Sequence, residues 1–430
     1  MKVALVGDVA VELLAPYFRE AGMETYVPAG FGTWRQEMLD RASPLNAFAP
    51  DRICDVTAFD GVLAAEVPGF YDERMRQLAA MPYSLAGIRA IVEEFQWSMM
   101  VDGLKVLAVD ADNTLWRGIL SEDGRDALHP CRELQQGLAS LAAAGVVLVL
   151  LTKNDPPAAG AGFMRSDMPL QDGDVTLRAS NWAPKAGNLL AACRRLNLSI
   201  DSVVFLDDNP FERAQMFAHL PQVAIAPWTG WPEGGDIAWR ERQLVRRLRT
   251  YCFAGVGATE EDRLRNRNYR ARLAADPGAY ATPGDYLEAL GLYASWSLAA
   301  PADCPRLAQM AGKTNQFNAT TIRRSEAEFR ALIADGARRV YVFRAGDRYG
   351  EMGIVCYVVL DCARRCISDF VMSCRAMGRT LEHFAYATVC ADAGYRPAAD
   401  FTPTAKNAPF AAFLASGMSG RTYYRQKAKL

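Results

Sequence analysis

The stretch Val106-Leu107-Ala108-Val109-Asp110-Ala111-Asp112-Asn113-Thr114-Leu115-Trp116 joins a short apolar run to two closely spaced carboxylates. The run predicts a buried strand, because it is short, branched and followed by polar residues. In an extended chain the side chains at i and i+2 point the same way, so Asp110 and Asp112 face one site. The two carboxylates repel each other unless a cation lies between them. The stretch indicates a magnesium-assisted phosphoryl site at the carboxyl edge of an open α/β sheet; the alternative is a plain Asp/Asn-rich turn.

Three later stretches also place polar residues beside predicted strands. Val146 to Leu151 is an apolar run that ends at Thr152-Lys153-Asn154-Asp155. Val203 to Leu206 is another, and it ends at Asp207-Asp208-Asn209-Pro210. Between them, Asn181-Trp182-Ala183-Pro184-Lys185 brings a lysine ahead of the last strand. The chain thus contains, in this order, an aspartate pair, a hydroxyl, a lysine and an acidic pair. This order resembles the motif set of the haloacid dehalogenase (HAD) superfamily.

The HAD resemblance implies a role for each of these residues. Asp110 is the expected nucleophile, which forms an aspartyl-phosphate, and Asp112 the expected general acid and then base. The expected phosphate-binding residues of this part are Thr152, Lys153 and Lys185. The expected cofactor is Mg²⁺, with ligands drawn from Asp110, Asp112, Asp207 and Asp208. Whether Asp207 or Asp208 binds the ion directly is left open.

Composition limits the classes of protein. The 430 residues allow two or three domains, and a net charge of −1 gives no nucleic-acid footprint. No apolar stretch is long enough to span a bilayer, and Asp8 interrupts the first apolar run too early for a signal peptide, so we expect no membrane partner and a cytoplasmic location. The ten cysteines are scattered, and the three histidines (His129, His219 and His383) exclude a His-rich metal site.

The chain divides into four predicted segments. Residues 1–100 read as a small α/β domain, with a strand from Lys2 to Val6 and a helix from Ala10 to Ala21. The turn Gly7-Asp8-Val9-Ala10-Val11 resembles that of SGNH-type hydrolases but lacks the serine, so we expect no hydrolysis there. Residues 101–228 form the α/β, Rossmann-like HAD core, with no room for a cap domain. Residues 229–285 are a helical linker whose charged helix, Glu260 to Ala275, we expect to be solvated. Residues 286–430 form an α+β domain.

The last segment resembles the GNAT acyltransferase fold in its order of strand, two helices, three strands and helix. In that fold the turn after the fourth strand binds the pyrophosphate of coenzyme A through backbone N–H groups. The corresponding turn is Ser373-Cys374-Arg375-Ala376-Met377-Gly378-Arg379, in which Arg375, Gly378 and Arg379 fit such a loop without its usual second glycine. The alternative is a basic, glycine-containing helix start.

Five stretches along nearly the whole chain resemble the FkbH-like proteins of polyketide assembly lines. They are Phe31-Gly32-Thr33-Trp34-Arg35-Gln36-Glu37, Asp110 to Gly118, Leu206 to Arg213, Lys313-Thr314-Asn315-Gln316-Phe317-Asn318 and Ser373 to Arg379. The resemblance implies a glyceryl transferase and phosphatase. A cysteine attacks the acyl phosphate of 1,3-bisphosphoglycerate, the HAD site removes the remaining phosphate, and the glyceryl group passes to the phosphopantetheine arm of an acyl carrier protein.

Cys374 is the predicted acyl-accepting thiol. A reactive thiolate needs cationic neighbours or a helix N-terminus, and Cys374 lies beside Arg375 and Arg379 at a predicted helix start. His383 follows Arg379 by four residues and is a candidate base on the same helix face. The remaining predicted substrate-binding residues are Lys313, Asn315, Gln316 and Asn318, whose side chains donate hydrogen bonds suited to a phosphorylated acyl group.

Three other functions compete with this prediction. A plain magnesium-dependent phosphatase would act on a small or carrier-bound phosphoester without acyl transfer. A non-enzymatic scaffold would recruit a carrier protein through degenerate domains, although the intact aspartates argue against it. Lysine acetylation is the least supported, because no stretch marks a peptide groove.

Overall fold

The computed structural model of this chain describes residues 1–100, 103–156, 165–228, 230–231, 236–257, 265–270, 273 and 282–426. These residues belong to two units, Met1–Met100 and Val101–Leu430, each of which is described by itself. In the described part of the chain, no helix is long and apolar enough to cross a membrane.

The first unit is built on a small parallel sheet. Its strands are β1 (Lys2–Val6), β2 (Glu24–Tyr26) and β3 (Arg52–Asp55), in the order β2-β1-β3. The predicted helix from Ala10 to Ala21 is wrong in its first part, where a 3₁₀ turn (Val11–Leu13) precedes α1. Pro16 has no N–H to continue a helix through this point. Val9 and Ala10, at the position of the missing serine, are buried. The helices are α1 (Ala15–Glu20), α2 (Trp34–Leu39), α3 (Pro44–Phe48), α4 (Asp60–Glu66), α5 (Glu73–Ala79) and α6 (Leu85–Ser98).

The second unit begins with a five-stranded parallel sheet in the order β10-β9-β4-β7-β8. The predicted strands are confirmed: β4 is Val106–Val109, β7 is Val147–Thr152 and β9 is Val203–Leu206. All three are fully buried, which explains their continuous apolar sequence. The other strands of this part are β5 (Trp116–Arg117), β6 (His129–Pro130), β8 (Leu177–Ser180) and β10 (Ala224–Ile225). The helices are α7 (Leu120–Asp123), α8 (Arg132–Ala144), α9 (Lys185–Leu196), α10 (Pro210–His219) and α11 (Ile237–Arg247).

A second sheet, of six strands, completes this unit in the order β15-β14-β13-β12-β11-β16. Its strands are β11 (Tyr293–Leu298), β12 (Arg338–Asp347), β13 (Gly350–Asp361), β14 (Cys366–Met372), β15 (Ala398–Ala399) and β16 (Arg425–Gln426). The helices are α12 (Pro283–Ala289), α13 (Cys304–Lys313), α14 (Glu326–Ala334), α15 (Leu381–Ala393) and α16 (Ala408–Ala415). The chain from β11 to α15 thus has the predicted element order; the GNAT likeness itself stays a prediction.

The segment predicted as a solvated linker is partly buried where the structure describes it. Much of the predicted helix from Glu260 to Ala275 lies outside the described residues, but residues 265–270 are helical and contain buried Arg265, Asn266 and Tyr269. Asn266 Nδ2 donates to two carbonyl oxygens that flank the end of α8, those of Ala142 and Val146, at 2.7 Å each. The expectation of solvation was wrong for these residues, because Asn266 is used inside the core to bind carbonyl oxygens at the end of α8 and just before β7.

Candidate functional site

Three aspartates meet at the carboxyl edge of the five-stranded parallel sheet, which is called the first sheet from this point on. Asp110 follows β4 and Asp207 follows β9, and these two strands are paired in parallel, with Val109 opposite Leu206. The backbone N–H of Asp110 donates to the carbonyl oxygen of Leu206 at 3.0 Å. As a result, carboxylate oxygens of Asp110, Asp207 and Asp208 all lie within 4.8 Å of one another.

Lys185 connects two of these carboxylates. It is the first residue of α9, and its Nζ lies 2.8 Å from Asp110 Oδ1 and 2.7 Å from Asp207 Oδ2. Burial raises the pKa of Asp110 to about 7, although Lys185 opposes the rise, and burial also raises the pKa of Asp207. Burial lowers the pKa of Lys185, but the two carboxylates outweigh it and raise that pKa overall. The site therefore concentrates negative charge around one buried ammonium.

The aspartate group fits a hard divalent cation. All three side chains offer oxygen, which is the ligand atom that Mg²⁺ prefers. Both oxygens of Asp207 are engaged by the protein, one by Lys185 and the other by the N–H of Asn209 at 2.9 Å. Asp208 Oδ1 contacts only the Thr114 hydroxyl, at 3.4 Å, among the side-chain hydrogen bonds found in the described residues. Asp208 is thus the better placed of the two to bind an ion directly.

Local sequence explains how the acidic pair is held. Asn209 caps α10, its Oδ1 accepting from the N–H of Phe211 at 2.9 Å, and Pro210 occupies the first helical position. Arg213 Nη1 donates to the backbone oxygens of both Asp207 and Asp208 at 2.7 Å. The strand therefore turns sharply into a helix whose first turn fixes both aspartates.

Asp112 lies outside the three-carboxylate group that could hold a metal. Its Oδ1 accepts from Trp116 Nε1 at 2.8 Å and from the N–H of Leu120 at 3.0 Å, and its Oδ2 accepts from Asn154 Nδ2 at 2.7 Å. Three donors fix the orientation of this carboxylate. The geometry suits an acid–base group better than the additional metal ligand that the sequence suggested.

The run after β7 contributes one residue that sequence reasoning missed. Asn154 Nδ2 donates both to Asp112 and to the buried hydroxyl of Thr152, the latter at 2.9 Å, and so connects two predicted site residues. Its position two residues after Thr152 could have indicated this role. Lys153, predicted to bind phosphate, instead pairs with the buried Glu212 of α10.

No domain is inserted between Asp112 and β7. Residues 113–146, all of which the structure describes, form β5, α7, a 3₁₀ turn, β6 and α8, with β5 and β6 paired antiparallel. The expectation of no cap at this insertion point agrees with that path. The later segment, residues 157–164, lies outside the described residues.

A second candidate site lies at the opposite end of the same strands. A cavity of about 180 Å³ is lined by Lys105, which precedes β4, and by Ser199, Asp201 and Ser202, which precede β9. Because each strand residue advances the chain by about 3.3 Å, Lys105 and Asp110 are separated by roughly 16 Å along β4. The cavity and the aspartate group therefore occupy opposite edges of the first sheet.

The cavity contains part of the site predicted in the C-terminal segment. Its lining includes Lys313, Asn315, Gln316, Cys374 and Arg375 from that prediction. The other predicted members, Asn318, Gly378, Arg379 and His383, are not among the described residues that line it.

Asn318 and Arg379 have structural partners instead. Asn318 is fully buried, and its side chain bonds the backbone of Thr314 and Thr321. Arg379 forms a buried ion pair with Asp347, and its role in binding phosphate stays a prediction.

The helix predicted from Arg379 to Ala391 is present but begins two residues later, and Cys374 does not lie directly before it as expected. The helix α15 begins at Leu381, because both Gly378 and Thr380 take positive φ, 72° and 66°. Cys374 accordingly lies in a turn, in which the N–H of Ala376 donates to Ser373 and that of Met377 to Cys374 itself, so these two groups are used within the turn. Arg379 precedes the helix, so it shares no helix face with His383, which packs against Phe413 with a ring separation of 5.4 Å.

Cys374 has an environment that the sequence did not indicate. Tyr269 Oη lies 3.7 Å from its sulfur, and Asn197 Nδ2 donates to its backbone oxygen at 3.1 Å. Burial raises the pKa of Cys374, but Lys105, the Tyr269 hydroxyl and two arginines outweigh burial and lower that pKa below the ordinary thiol value. Burial alone raises the pKa of Cys193 to about 12.

Comparisons with solved structures find distant neighbours, among them one from Bacteroides fragilis and one from Xanthomonas campestris. No family model matches the chain, and no curated protein matches it. A crystal structure from Bacteroides fragilis, described as the N-terminal part of a protein containing a phosphatase domain complexed with Mg, shares 20% identity, covers 58% of this chain and 93% of its own, and has a TM-score of 0.35. A hypothetical protein from Xanthomonas campestris shares 19% identity over 44% of this chain and 93% of its own, with a TM-score of 0.26. Similarity this low adds nothing to what the site geometry indicates.

Proposed function

We propose that the chain is a magnesium-dependent phosphatase of the HAD type that is combined with a glyceryl transferase. The observation that carries the phosphatase part is the contact of Lys185 with both Asp110 and Asp207 beside a third carboxylate. This arrangement offers a nucleophile, a fixed cation and oxygen ligands at one strand edge. When bound, Mg²⁺ would supply positive charge for the phosphoryl oxygens and would be held by Asp110 and Asp208.

The residues of the chain perform the proton transfers of this proposal. Asp110 attacks phosphorus and forms an aspartyl-phosphate, while Asp112 gives a proton to the leaving oxygen. Asp112 then accepts a proton from the water that hydrolyses the intermediate. Its three hydrogen-bond donors hold it in one orientation for both steps. Lys185 and the Thr152 hydroxyl orient the phosphoryl group.

The transferase part of the proposal rests on Cys374 in its cation-lined cavity. Six described lining residues are basic and one is acidic, so the cavity favours an anionic ligand; the basic ones are Lys105, Arg265, Arg306, Lys313, Arg375 and Lys406. An acyl phosphate such as 1,3-bisphosphoglycerate carries both the carbonyl and the negative charge that this cavity suits. The sulfur attacks the carbonyl, a C–S bond forms, the C–O bond to phosphate breaks, and phosphate leaves with the electron pair.

A mobile carrier fits the separation of the two proposed sites. The acyl group on Cys374 would lie on the other edge of the sheet from Asp110, and the buried strand β4 stands between them. A thiol on the flexible phosphopantetheine arm of a carrier protein can accept the group from Cys374 and bring its remaining phosphate to Asp110. The proposal therefore includes an acyl carrier protein as partner.

Intact-protein mass spectrometry tests the proposal. The chain is mixed with Mg²⁺, 1,3-bisphosphoglycerate generated in situ and several holo carrier proteins. We expect a carrier to gain the mass of one glyceryl group. Asp110→Asn should retain the additional phosphate on the carrier, and Cys374→Ala should prevent any gain. Asp155→Asn, at the end of the same run as Thr152, is the matched control and should behave as wild type.

A phosphatase without acyl transfer is the second candidate function. It is favoured by the ion pair between Arg379 and Asp347 and by the use of the N–H groups of Ala376 and Met377 within the turn, because all three were expected to bind an anion. In that case magnesium-dependent phosphate release is observed, and neither the enzyme nor any carrier gains mass.

A further inference from the structure

We propose that Tyr269 and Lys105, both supplied by the part of the chain around the first sheet, are positioning residues for the sulfur of Cys374. Tyr269 donates a hydrogen bond to the thiolate, and Lys105 provides its counter-charge. The inference deepens the transferase part of the proposed function and rests on it. It assigns to these two residues a role in the chemistry of a cysteine more than 100 positions away in sequence.

Tyr269 is positioned to act on the sulfur, which is the only hydrogen-bond partner of its hydroxyl among the residues that the structure describes. It is buried, and its Oη lies 3.7 Å from Cys374 Sγ, which is within the range of an O–H···S hydrogen bond. The helical residues that carry it are anchored by Asn266, which donates to Ala142 and Val146, and by Arg265, which donates to Gly145 at 2.9 Å. Because the ring is anchored to the core, the hydroxyl fixes the direction of the sulfur.

Lys105 lines the same cavity as Tyr269 and Cys374. Its Nζ donates to the carbonyl oxygen of Lys313 at 2.7 Å, so the ammonium is directed to the end of α13 that lines the cavity. Burial lowers the pKa of Lys105, and the charge of Cys374 opposes that effect. The ammonium is therefore favoured while the sulfur is a thiolate.

Other charged groups face the same sulfur and have to be separated from these two. Arg265 and Arg375 also lower the pKa of Cys374. Lys406, at the cavity wall, pairs with Asp201, the one acidic lining residue that the structure describes. The remaining basic lining residues are Arg306 and Lys313.

Stabilisation of the Cys374 thiolate by Tyr269 and Lys105 assists both the formation and the breakdown of the thioester. In the first step the thiolate attacks the acyl phosphate, and no proton has to move before phosphate leaves. In the second step a carrier thiolate attacks the thioester, the C–S bond to Cys374 breaks, and the sulfur leaves with the electron pair. A leaving thiolate of lower pKa departs faster, so stabilisation by Tyr269 and Lys105 speeds release as well.

The rate of alkylation of Cys374 by iodoacetamide, followed by peptide mass spectrometry between pH 5.5 and 10, tests the inference without donor or carrier. In the wild type we expect a midpoint below that of an ordinary thiol. Tyr269→Phe and Lys105→Met should each move the midpoint upward, by about one pH unit for a tenfold loss of rate near neutral pH. Lys105→Arg keeps the charge and should have a midpoint close to that of the wild type. Tyr395→Phe, outside the residues that line the cavity, is the matched control.

The outcomes separate this inference from the proposed function. An unchanged midpoint in both Tyr269→Phe and Lys105→Met overturns the inference, even if the wild type forms an acyl-enzyme. Raised midpoints in Tyr269→Phe and Lys105→Met support the roles of Tyr269 and Lys105. If the wild type in the same series never accepts an acyl group, the transferase is rejected while these roles stand. Magnesium-dependent phosphate release serves as the folding control, because Asp110 lies at the other edge of the sheet; a variant that has lost it is replaced by Tyr269→Leu or Lys105→Gln.

Discussion

Lys185 Nζ lies 2.8 Å from Asp110 Oδ1 in a site where both side chains are less than a tenth exposed. The same ammonium contacts Asp207, so a single lysine compensates two buried negative charges. This relationship makes Lys185 important both for the fold and for the proposed chemistry. The two roles can be measured separately.

Replacing Lys185 with methionine removes the only cation in contact with these two carboxylates among the described residues. We expect phosphate release to fall by about 10²–10³-fold, as for loss of one preorganised charge-stabilising donor. Unfolding free energy in EDTA should fall by about 3–5 kcal/mol, since an uncompensated buried charge remains. Lys153→Met, whose partner is Glu212, is the control and should retain most activity. Full turnover in Lys185→Met would contradict the assignment of the site.

The raised pKa of Asp110 predicts a pH dependence of stability in EDTA. Burial raises this pKa to about 7 in the folded chain, against about 3.9 in the unfolded chain. The unfolded state therefore loses its proton first. The stabilising contribution is fully present below about pH 4 and is lost as the pH rises to about 7, by up to about 4 kcal/mol.

Asp110→Asn provides the comparison for that measurement, because it cannot ionise. Denaturant unfolding at several pH values should give a free-energy difference between Asp110→Asn and wild type that grows in favour of the variant from pH 4 to pH 7. A difference that does not depend on pH would show that Asp110 does not titrate in this range.

Loss of the Asn154 side chain should impair catalysis without impairing metal binding. Asn154→Leu removes the donor shared by Asp112 and Thr152, and residues that orient site groups in this way are typically worth about 10–100-fold in activity. The Mg²⁺-induced rise in melting temperature should persist, since Asp110, Asp207 and Asp208 are intact. Asn188→Ala, at an exposed Asn pair, is the control. Loss of the magnesium effect in Asn154→Leu would be the contradicting result.

Arg379 is expected to act through stability and not through phosphate binding. Arg379→Met leaves Asp347 buried without its partner, which should cost about 3–5 kcal/mol of unfolding free energy. Adding Asp347→Asn should recover much of that loss, and chemical denaturation of the single and double variants measures it. If Arg379→Met is as stable as wild type but binds the acyl phosphate poorly, the original phosphate-binding prediction is restored.

Sequence reasoning located the first site because its geometry follows from local rules. Parallel strands bring their carboxyl ends to one edge, so Asp110 and Asp207 were expected at the same edge once their strands were identified, and the pairing of β4 with β9 makes them neighbours. Lys185 followed from the motif order. Asn154 was accessible to the same reasoning but carried no motif of its own.

The surroundings of Cys374 were not accessible in this way. Tyr269 reaches the sulfur through packing between distant segments, and no periodicity marks such a contact. Arg379 pairs with Asp347 for the same reason, across the turn between two strands and a helix. The start of α15 was misplaced because positive φ at Thr380 is a property of the folded turn that its sequence does not mark. The predicted domain boundaries and the carrier partner stay predictions.

The position of Lys105 and Asp110 at opposite ends of β4 has a consequence for the time course of the proposed reaction. One molecule of 1,3-bisphosphoglycerate would lose its two phosphates at two places, and therefore at two moments. Phosphate release should show an early phase equal to the amount of acyl-enzyme formed, followed by a delayed phase that requires a carrier. The length of the delay would report how quickly the partner moves the acyl group from one edge of the sheet to the other, a property of the carrier arm more than of either site.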